Sequence, residues 1–386
     1  METLQPKLRF PMFEGDWERK SLRDITSLVT KGTTPKFFTE SGINFIKIEC
    51  LNGHNIDTSK CLFIDETTHN KELKRSILKE DDLLFAIAGA TIGKCTIVDK
   101  SILPANTNQA LSIIRLNNNE NKNYIFQILT SEAMKKYIID NISVGAQPNL
   151  NLEQINSFSF SYPTLHEQTR IANFLSSVDE KLNLLKEKKA LLEEYKKGIM
   201  QKIFNQELRF KDDNREDFEE WEEKNLGQVS TKESSSISAN KIEDNFGDYI
   251  IYGASGVLKK VDFYLQENDY ISIIKDGAGV GRIFYCEGKT SVLGTMEMIK
   301  PNIEIDTYFL YCLLNNIDFT AFITGSTIPH IYYKDYSKVK CGIPCLEEQT
   351  KIANFLSAID EKIELVVTQI EDTQEYKKGL LQQMFV

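Results

Sequence analysis

A glycine-rich segment at 89–95, GATIGKC, contains the residue types of a phosphate-binding loop. Such a loop needs four residues between its glycines and a Ser or Thr after its lysine. Here three residues separate Gly89 from Gly93, and Cys95 follows Lys94. A second segment, GAGVGR at 277–282, has Arg282 where a dinucleotide-binding fingerprint needs glycine. The spacing argues against a nucleotide site and leaves two interpretations: a tight strand-to-strand turn, or a turn whose N–H groups and basic residue meet a DNA phosphate.

No other pattern indicates catalysis. The sequence lacks G-x-S-x-G, H-E-x-x-H and the Asn/Asp-Pro-Pro-aromatic tetrapeptide of amino-methyltransferases. None of its acidic residues stands out from solvated faces as an acid–base pair. The four histidines lack metal-ligand spacing, and the seven cysteines include no C-x-x-C pair, which is typical of reduced cytoplasmic thiols. We predict a non-catalytic cytoplasmic chain with no metal or cofactor of its own.

The net charge of −10 by itself argues against a nucleic-acid-binding protein. Much of the acidity lies in residues 211–225 and 344–386, and the remaining regions are nearly neutral. The charge distribution therefore permits DNA binding without indicating it. The sequence contains no apolar run of the roughly 18 residues needed to span a bilayer, and its first residues lack the apolar core of a secretory signal.

The longer elements that would position these segments occur twice. Residues 163–204 and 344–385 are identical at 22 of 42 positions at a constant offset of 181. The tripeptide Leu-Arg-Phe recurs at 8–10 and 208–210, and each copy is followed by one of the two tryptophans. Such a repeat predicts two similar halves in tandem with an internal pseudo-two-fold axis.

Apolar residues in both repeats recur at steps of three and four, a period near 3.5 that predicts a coiled-coil seam. Four residues interrupt this seam: Lys189, Lys196, Thr373 and Lys377. A helix of about 40 residues is about 60 Å long and cannot bury its apolar stripe against itself, so each helix is expected to pair with its own repeat. A perpendicular two-fold axis makes the pair antiparallel. The alternatives are a parallel pair, or two helices that each pack on their own globule.

Two dissimilar regions precede the helices. Their β-branched and aromatic runs, bounded by Gly, Asn and Asp, predict mainly antiparallel strands with a few helices. Both contain a glycine-rich turn, a strand (111–116 and 296–301), a helix (124–138 and 307–323) and a closing turn. The predicted fold class is α+β, with two globular domains separated by two long helices in an antiparallel coiled coil. The predicted divisions are 1–162 (first domain), 163–207 (first helical repeat), 208–225 (acidic linker), 226–343 (second domain) and 344–386 (second helical repeat).

The segments P-x-L-x-E-Q-x-[RK]-I-A-N-F-L-S-x-[VI]-D-E-K and the endings Y-K-K-G-[IL]-[ML]-Q-[KQ]-[IM]-F resemble the helical repeats of type I restriction–modification specificity (S) subunits. The resemblance covers essentially the full length, and the dissimilar regions resemble target recognition domains. It implies that each domain reads one half of a bipartite site in double-stranded DNA and that the helices set the spacer. It also implies that two adenine-N6 methyltransferase (M) subunits dock on the helices and that restriction (R) subunits join through them.

The same resemblance assigns S-adenosylmethionine to the M subunits, and ATP and magnesium to the R subunits, so that this chain needs no cofactor and no membrane. The alternative is a two-lobed coiled-coil scaffold without DNA readout, which the acidic charge favours.

Polar and basic residues at turns marked by Gly or Pro are candidates for DNA contact, because Asn and Gln pair with adenine edges, and Lys and Arg with phosphate or guanine. An ordinary loop role is the alternative for each. The candidates are Lys31, Thr33, Thr34, Lys36, Thr91, Lys94, Asn106, Asn108, Gln109, Gln147 and Asn149 in the first domain, and Ser234, Ser235, Ser236, Tyr252, Ser255, Lys275, Arg282, Thr327 and His330 in the second.

Repeated polar residues on the helices are candidates for partner contact, with caps and solvated faces as the alternative. They are Glu167, Gln168, Asn173, Asp179 and Glu180, with their equivalents Glu348, Gln349, Asn354, Asp360 and Glu361. Asp179, Glu180 and their equivalents lie between seam positions and are expected to point outward.

Overall fold

The computed structural model describes residues 5–142 and 148–385. The chain forms two compact units, of which unit 1 comprises residues 1–185 and 369–386 and unit 2 comprises residues 186–368. The division falls within the two long helices. Each unit therefore contains one globular domain, the beginning of one long helix and the end of the other.

Unit 1 is built on an antiparallel sheet. Its strands are β1 (Glu18–Ser21), β2 (Thr26–Lys31), β3 (Ile43–Ile46), β4 (Leu51–Asn52), β5 (Asn55–Ile56), β6 (Leu62–Ile64), β7 (Leu83–Ala86), β8 (Cys95–Ile97), β9 (Ala105–Thr107), β10 (Leu111–Leu116) and β11 (Ser159–Tyr162). Its shorter helices are α1 (Leu22–Ile25), α2 (Lys122–Leu129), α3 (Glu132–Asn141) and α4 (Leu152–Ser157). The main sheet has the order β2-β10-β7-β8, and a smaller sheet has the order β6-β3-β9, with β3 parallel to β9. In addition, β1 pairs with β11 and β4 with β5.

Helix α5 (Leu165–Phe204) leads from unit 1 into unit 2. The strands of unit 2 are β12 (Glu222–Asn225), β13 (Ser230–Ser234), β14 (Tyr249–Gly253), β15 (Gly256–Val261), β16 (Tyr270–Ile274), β17 (Ile283–Cys286), β18 (Ser291–Val292), β19 (Met296–Pro301) and β20 (Lys340–Ile343). Its helices are α6 (Leu226–Val229), α7 (Thr307–Asn315), α8 (Tyr333–Tyr336) and α9 (Leu346–Met384), the last of which returns to unit 1.

The two domains share one topology despite their dissimilar sequences. The main sheet of unit 2 has the order β13-β19-β16-β17, and its smaller sheet has the order β15-β14-β18, with β14 parallel to β18. Strand β12 pairs with β20 as β1 does with β11. The predicted mainly antiparallel α+β fold is confirmed, and the predicted strands 111–116 and 296–301 are present as β10 and β19.

The two predicted domain helices are shorter than expected. The segment 124–138 is divided between α2 and α3, because the Ser131 hydroxyl accepts the Met134 N–H and caps a new helix. In unit 2, α7 ends at Asn315, and the Asp318 carboxylate accepts the Thr320 N–H to begin a separate turn. Ser and Asp favour caps over helix interiors because their side chains compete for backbone groups.

The long helices pair in opposite directions. In unit 1, Leu175 near the start of α5 shares a hydrophobic core with Leu380 near the end of α9. In unit 2, Ile203 near the end of α5 shares a core with Ile352 near the start of α9. The beginning of each helix thus packs with the end of the other, and the predicted antiparallel pairing is confirmed. Burying each such side chain contributes roughly 1.5–3 kcal/mol.

Candidate nucleic-acid interface

Several loops meet at one end of the main sheet in each unit. In unit 1 the carboxyl ends of β2 and β7 and the amino ends of β8 and β10 lie at this end, because neighbouring strands are antiparallel. Strands β13, β16, β17 and β19 repeat this arrangement in unit 2. We define the unit-1 loop cluster as residues 32–38, 87–94, 106–110 and 148–150, and the unit-2 loop cluster as residues 235–238, 275–282, 293–295 and 325–331.

The glycine-rich segments are tight turns between adjacent strands. In unit 1 the Gly93 N–H donates to the Ala86 carbonyl at 3.0 Å, and Gly93 has a φ of 94°. In unit 2 the Gly281 N–H donates to the Ile274 carbonyl at 2.8 Å, and Gly281 has a φ of 84°. A left-handed backbone favours glycine, so the turn conformation accounts for the sequence pattern. Contact of these turns with a phosphate stays a prediction.

A second turn lies beside each glycine-rich turn. The Gly89 N–H donates to the Pro148 carbonyl at 3.3 Å in unit 1, and the Gly277 N–H donates to the Pro329 carbonyl at 2.9 Å in unit 2. These contacts place three of the predicted DNA-binding residues in the loop clusters: Asn149 in unit 1, and Thr327 and His330 in unit 2.

Residues 32–36 fold back onto loop 106–110 in unit 1. The Thr33 N–H donates to the Thr107 carbonyl at 3.0 Å, and the Thr34 hydroxyl contacts the carboxamide oxygen of Gln109. A Cβ added at Gly32 would lie 2.1 Å from the Thr107 carbonyl oxygen, so only glycine permits this approach. The fold therefore brings together two segments whose DNA-binding residues were predicted separately.

In unit 2 the Arg282 side chain joins two predicted segments. Its Nη1 donates to the Ala254 carbonyl at 3.3 Å, which places the turn that carries Tyr252 and Ser255 against the glycine-rich turn. The Lys275 N–H donates to the Thr295 carbonyl at 3.0 Å. The predicted side chains that are exposed or half-buried in the described residues are Lys31, Thr33, Thr34, Lys36, Thr91, Lys94, Asn108, Gln109 and Asn149 in unit 1, and Ser234, Ser236, Tyr252, Ser255, Lys275, Arg282, Thr327 and His330 in unit 2.

Two predicted DNA contacts are wrong because the side chains are buried. Asn106 is fully buried, and its Oδ1 lies 2.5 Å from Nδ1 of His69. Ser235 is buried, and its hydroxyl accepts the Ile237 N–H at 3.1 Å. Both side chains are buried and form hydrogen bonds within their own unit. Gln147 lies outside the described residues.

Glu167 and Glu348 are buried at the starts of the long helices. Glu167 accepts hydrogen bonds from Arg9 Nε at 2.7 Å and from the indole of Trp17 at 3.1 Å. The hydrogen bond to Glu167 raises the pKa of Arg9 above its ordinary value. In unit 2, Glu348 accepts hydrogen bonds from Arg209 Nη2 at 2.9 Å and from the indole of Trp221 at 3.0 Å. These carboxylates hold each Leu-Arg-Phe segment and tryptophan against a helix, so the prediction that they contact a partner is wrong.

The neighbouring glutamines are also internal. Gln168 Nε2 donates to the Pro163 carbonyl at 2.9 Å, and Gln349 Nε2 donates to the Pro344 carbonyl at the same distance. Both side chains are buried. The prediction of partner contact is wrong for them as well, because their amides satisfy backbone groups where the helices begin.

Asp179 and Asp360 point toward the other long helix. Asp179 contacts Lys377 Nζ at 2.6 Å, His54 Nε2 at 3.1 Å and Gln127 Nε2 at 2.9 Å. Burial alone raises the pKa of Asp179, but these hydrogen bonds overcome that effect and lower it to about 2. Asp360 contacts Lys196 Nζ at 2.6 Å. The expectation that the two aspartates point outward is wrong, because Lys377 and Lys196, two of the residues that interrupt the apolar seam, are their partners.

The remaining repeated candidates are exposed on the helices. They are Asn173 and Glu180 in unit 1 and Asn354 and Glu361 in unit 2. Two further side chains of the first domain lie at the unit-1 loop cluster and were not among the predicted residues: Arg75, whose Nη2 donates to Thr33 Oγ1 at 3.1 Å, and the exposed Phe37. Phe37 lies within the segment TTPKFF at 33–38, whose proline and lysine mark the turn in the sequence.

Among residues 5–142 and 148–385, no group of three or more His, Cys, Asp or Glu side chains is placed to hold a metal ion. Within the same described ranges, no helix combines the length and the apolar character that crossing a bilayer requires.

The sequence of this chain is similar to those of several known proteins. A profile of the family described as the type I restriction modification DNA specificity domain matches residues 14–194 and 218–373. A putative type I restriction enzyme MjaX specificity subunit from Methanocaldococcus jannaschii is 26% identical over 400 residues, which cover 95% of this chain and 92% of that protein. The MjaIX specificity subunit from the same organism is 23% identical, over 90% of this chain and 88% of that one.

Two solved structures have a similar fold. The crystal structure of a type I restriction–modification system S subunit from M. genitalium has a TM-score of 0.65 at 18% identity and covers 99% of both chains. A chain from a study of complex assembly and conformational transition of the type I restriction–modification system has a TM-score of 0.57 at 14% identity, over 95% of this chain and 97% of that chain. At these identities the likeness concerns the fold alone.

Proposed function

The chain belongs to the family of type I restriction–modification DNA specificity subunits, and we propose that each of its units reads one half of a bipartite site in double-stranded DNA. The observation that carries this proposal is that one topology presents two different sets of polar side chains at the same end of its main sheet. Base edges are read by side-chain hydrogen bonds, whereas phosphate contacts set position. A shared frame with different loops therefore suits two unlike half-sites.

We propose that each unit also docks one methyltransferase subunit. The support comes from exposed residues that the repeat makes identical: Leu184 and Leu365 are 58% and 64% exposed, and Tyr195 and Tyr376 are 52% and 55% exposed. Leu184 and Tyr376 belong to unit 1, whereas Leu365 and Tyr195 belong to unit 2. Each unit thus carries one exposed leucine and one exposed tyrosine from the repeat, as the binding of two copies of one partner requires.

Repeated glycines support the same proposal. A Cβ added at Gly198 or Gly379 would meet nothing within 4 Å, so the fold itself does not require glycine there. A glycine inside a helix is about 0.5–1 kcal/mol less stable than alanine. Two such glycines at equivalent positions fit a close approach by a partner. We define the repeat surfaces as Asn173, Glu180, Leu184, Tyr376 and Gly379 in unit 1, and Asn354, Glu361, Leu365, Tyr195 and Gly198 in unit 2.

In this proposal the long helices set the spacer between the half-sites. Helix α5 has 40 residues and α9 has 39, which corresponds to about 60 Å each. At 3.4 Å per base pair this length gives an upper bound of roughly 18 base pairs. The chain acts in the cytoplasm without catalysing a reaction: adenine-N6 methylation with S-adenosylmethionine belongs to the M subunits, and ATP and magnesium belong to R subunits that join through them.

A two-lobed scaffold that joins partners without reading DNA is the second candidate, which the net charge of −10 favours. The two functions are separated by replacing residues 18–162 with another recognition domain and measuring DNA binding by the assembled methyltransferase complex. We expect the variant complex to lose binding to the parent site, while the parent complex discriminates that site from scrambled DNA. Unchanged sequence preference in the variant supports the scaffold.

A further inference from the structure

Phe37 projects from the unit-1 loop cluster with 80% of its surface exposed. The residues around it are anchored. Pro35 is buried, and the Phe38 ring packs edge-on against the buried Phe45 ring with centroids 5.3 Å apart. The Thr39 N–H donates to a carbonyl of β6 at 2.9 Å. The ring therefore projects into solvent from a segment whose neighbouring residues, on both sides of Phe37, pack against the domain.

Basic residues lie close to Phe37 along the chain and beside its segment. Lys31 and Lys36 are exposed on the same segment, and Arg75 is bonded to Thr33. An exposed aromatic ring among cations matches nucleic acid, because the cations neutralise phosphates while the ring contacts the faces of bases. The position within the unit-1 loop cluster, beside the polar residues predicted to read DNA, points to the same ligand.

We propose that Phe37 inserts between two neighbouring bases of the half-site bound by unit 1 and partly unstacks them. This inference rests on the proposed function, since it requires that unit 1 bind DNA, and it goes further by assigning one base step to an apolar contact. Apolar wedges open a base step and bend the duplex, and the cost of that deformation depends on the sequence. Phe37 is then a specificity-determining residue at a step where it makes no hydrogen bond.

Unit 2 offers a matched control. Phe246 is 76% exposed, and Lys259 Nζ lies 4.1 Å from its ring centroid. It precedes β14 and lies outside the unit-2 loop cluster. It therefore has the residue type and exposure of Phe37, together with a nearby cation, without the position of Phe37.

The test uses the full chain assembled with its methyltransferase subunits and DNA duplexes with 2-aminopurine at successive positions. The half-site of unit 1 is first identified by the exchange of residues 18–162. We expect binding of the parent complex to raise the fluorescence at one step in that half-site. Phe37→Ala abolishes this rise and weakens binding about tenfold, in the range of one lost stacking contact. Phe37→Trp retains the rise, and Phe246→Ala changes neither quantity.

Thermal unfolding of Phe37→Ala is expected to match that of the parent, because the side chain is exposed. The proposal is overturned if Phe37→Ala keeps every fluorescence change and the parent affinity, or if Phe246→Ala causes the same loss at the same step. A parent complex without sequence preference contradicts both this proposal and the proposed function. Sequence-specific binding that Phe37→Ala leaves unaltered contradicts this proposal alone.

Discussion

Lys377 Nζ lies 2.6 Å from Asp179 Oδ1 within unit 1. The repeat offset of 181 converts this pair into Lys196 and Asp360, whose contact within unit 2 is also 2.6 Å. In each pair the acid and the base come from different copies of the repeat. The two ion pairs therefore fix the register of the antiparallel helices, and Lys377 and Lys196 interrupt the apolar seam because they form these pairs.

The Asp179 contacts predict how stability depends on pH. The pKa of Asp179 is lowered from its ordinary 3.8 to about 2 in the folded chain, so its contribution is complete above about pH 4 and is lost as the pH falls toward about 2. We expect Asp179→Asn to lower the free energy of unfolding by about 2 kcal/mol at pH 7 and to flatten its pH dependence between about pH 4 and 2. Urea unfolding at several pH values measures both effects.

A matched control for Asp179 is the exposed pair of Lys189 and Glu193, which contact each other at 2.8 Å on the surface of α5. Glu193→Gln is expected to change the unfolding free energy by less than about 0.5 kcal/mol. Equal effects of Asp179→Asn and Glu193→Gln would contradict the role given to the half-buried pair of Asp179 and Lys377.

The buried carboxylates predict a larger loss of stability. Glu167→Ala leaves the guanidinium of Arg9 and the indole of Trp17 without their acceptor. Breaking a buried ion pair by removing one partner costs about 3–5 kcal/mol, and we expect a loss of this size in chemical denaturation. The exposed Glu347 beside Glu348 supplies the control, since Glu347→Ala is expected to stay within about 0.5 kcal/mol of the parent. A loss of under 1 kcal/mol for Glu167→Ala contradicts the assignment.

The repeat surfaces predict the stoichiometry of assembly. Gly379→Arg and Gly198→Arg place a long side chain where the fold leaves open space, so folding is retained and partner approach is blocked. Native mass spectrometry is expected to show two methyltransferase subunits per chain for the parent, one for either variant and none for the double variant. Ala190→Arg, at an exposed small residue of α5 outside both surfaces, is expected to keep two. Two subunits on the double variant contradict the docking proposal.

The glycine-rich turns predict a salt-dependent effect. If Lys94 and Arg282 contact phosphates, Lys94→Gln and Arg282→Gln weaken binding to specific and scrambled DNA alike, and each reduces the slope of log affinity against log salt by about 0.9. Lys122 contacts Asp81 at the other end of the main sheet of unit 1, and Lys122→Gln is expected to leave the slope unchanged. Titrations at several salt concentrations measure the slopes, and an unaltered slope for both turn variants contradicts phosphate contact.

The two similar halves and their paired long helices could be predicted from the sequence because the helical segment occurs twice. Two matched apolar stripes of equal length have few ways to bury each other, and the structure has the antiparallel one. The buried role of Glu167 was also within reach: Arg9, Trp17 and Glu167 recur together as Arg209, Trp221 and Glu348. Residues that recur as a set in both halves are expected to contact one another, whereas Glu167 considered alone was predicted to contact a partner.

The loops were harder to predict because burial there depends on distant residues. Asn106 has the sequence character of a turn residue, but its amide is buried by its contact with His69, which lies 37 residues earlier in the chain. Likewise, His54 contacts Asp179 and reduces its exposure, although His54 lies 125 residues earlier in the chain. Turn propensity reports the local backbone and carries no information about such long-range partners.

The proposal that each unit reads one half-site is tested most directly by mapping methylated adenines in the genome of cells that express this chain with its methyltransferase partner. We expect one bipartite motif, with two specific half-sites separated by a spacer of fixed length and of no more than roughly 18 base pairs. Replacing residues 18–162 is expected to change one half of the motif and to preserve the other half and the spacer. A contiguous motif, or a motif that the replacement leaves intact, contradicts reading by two separate units.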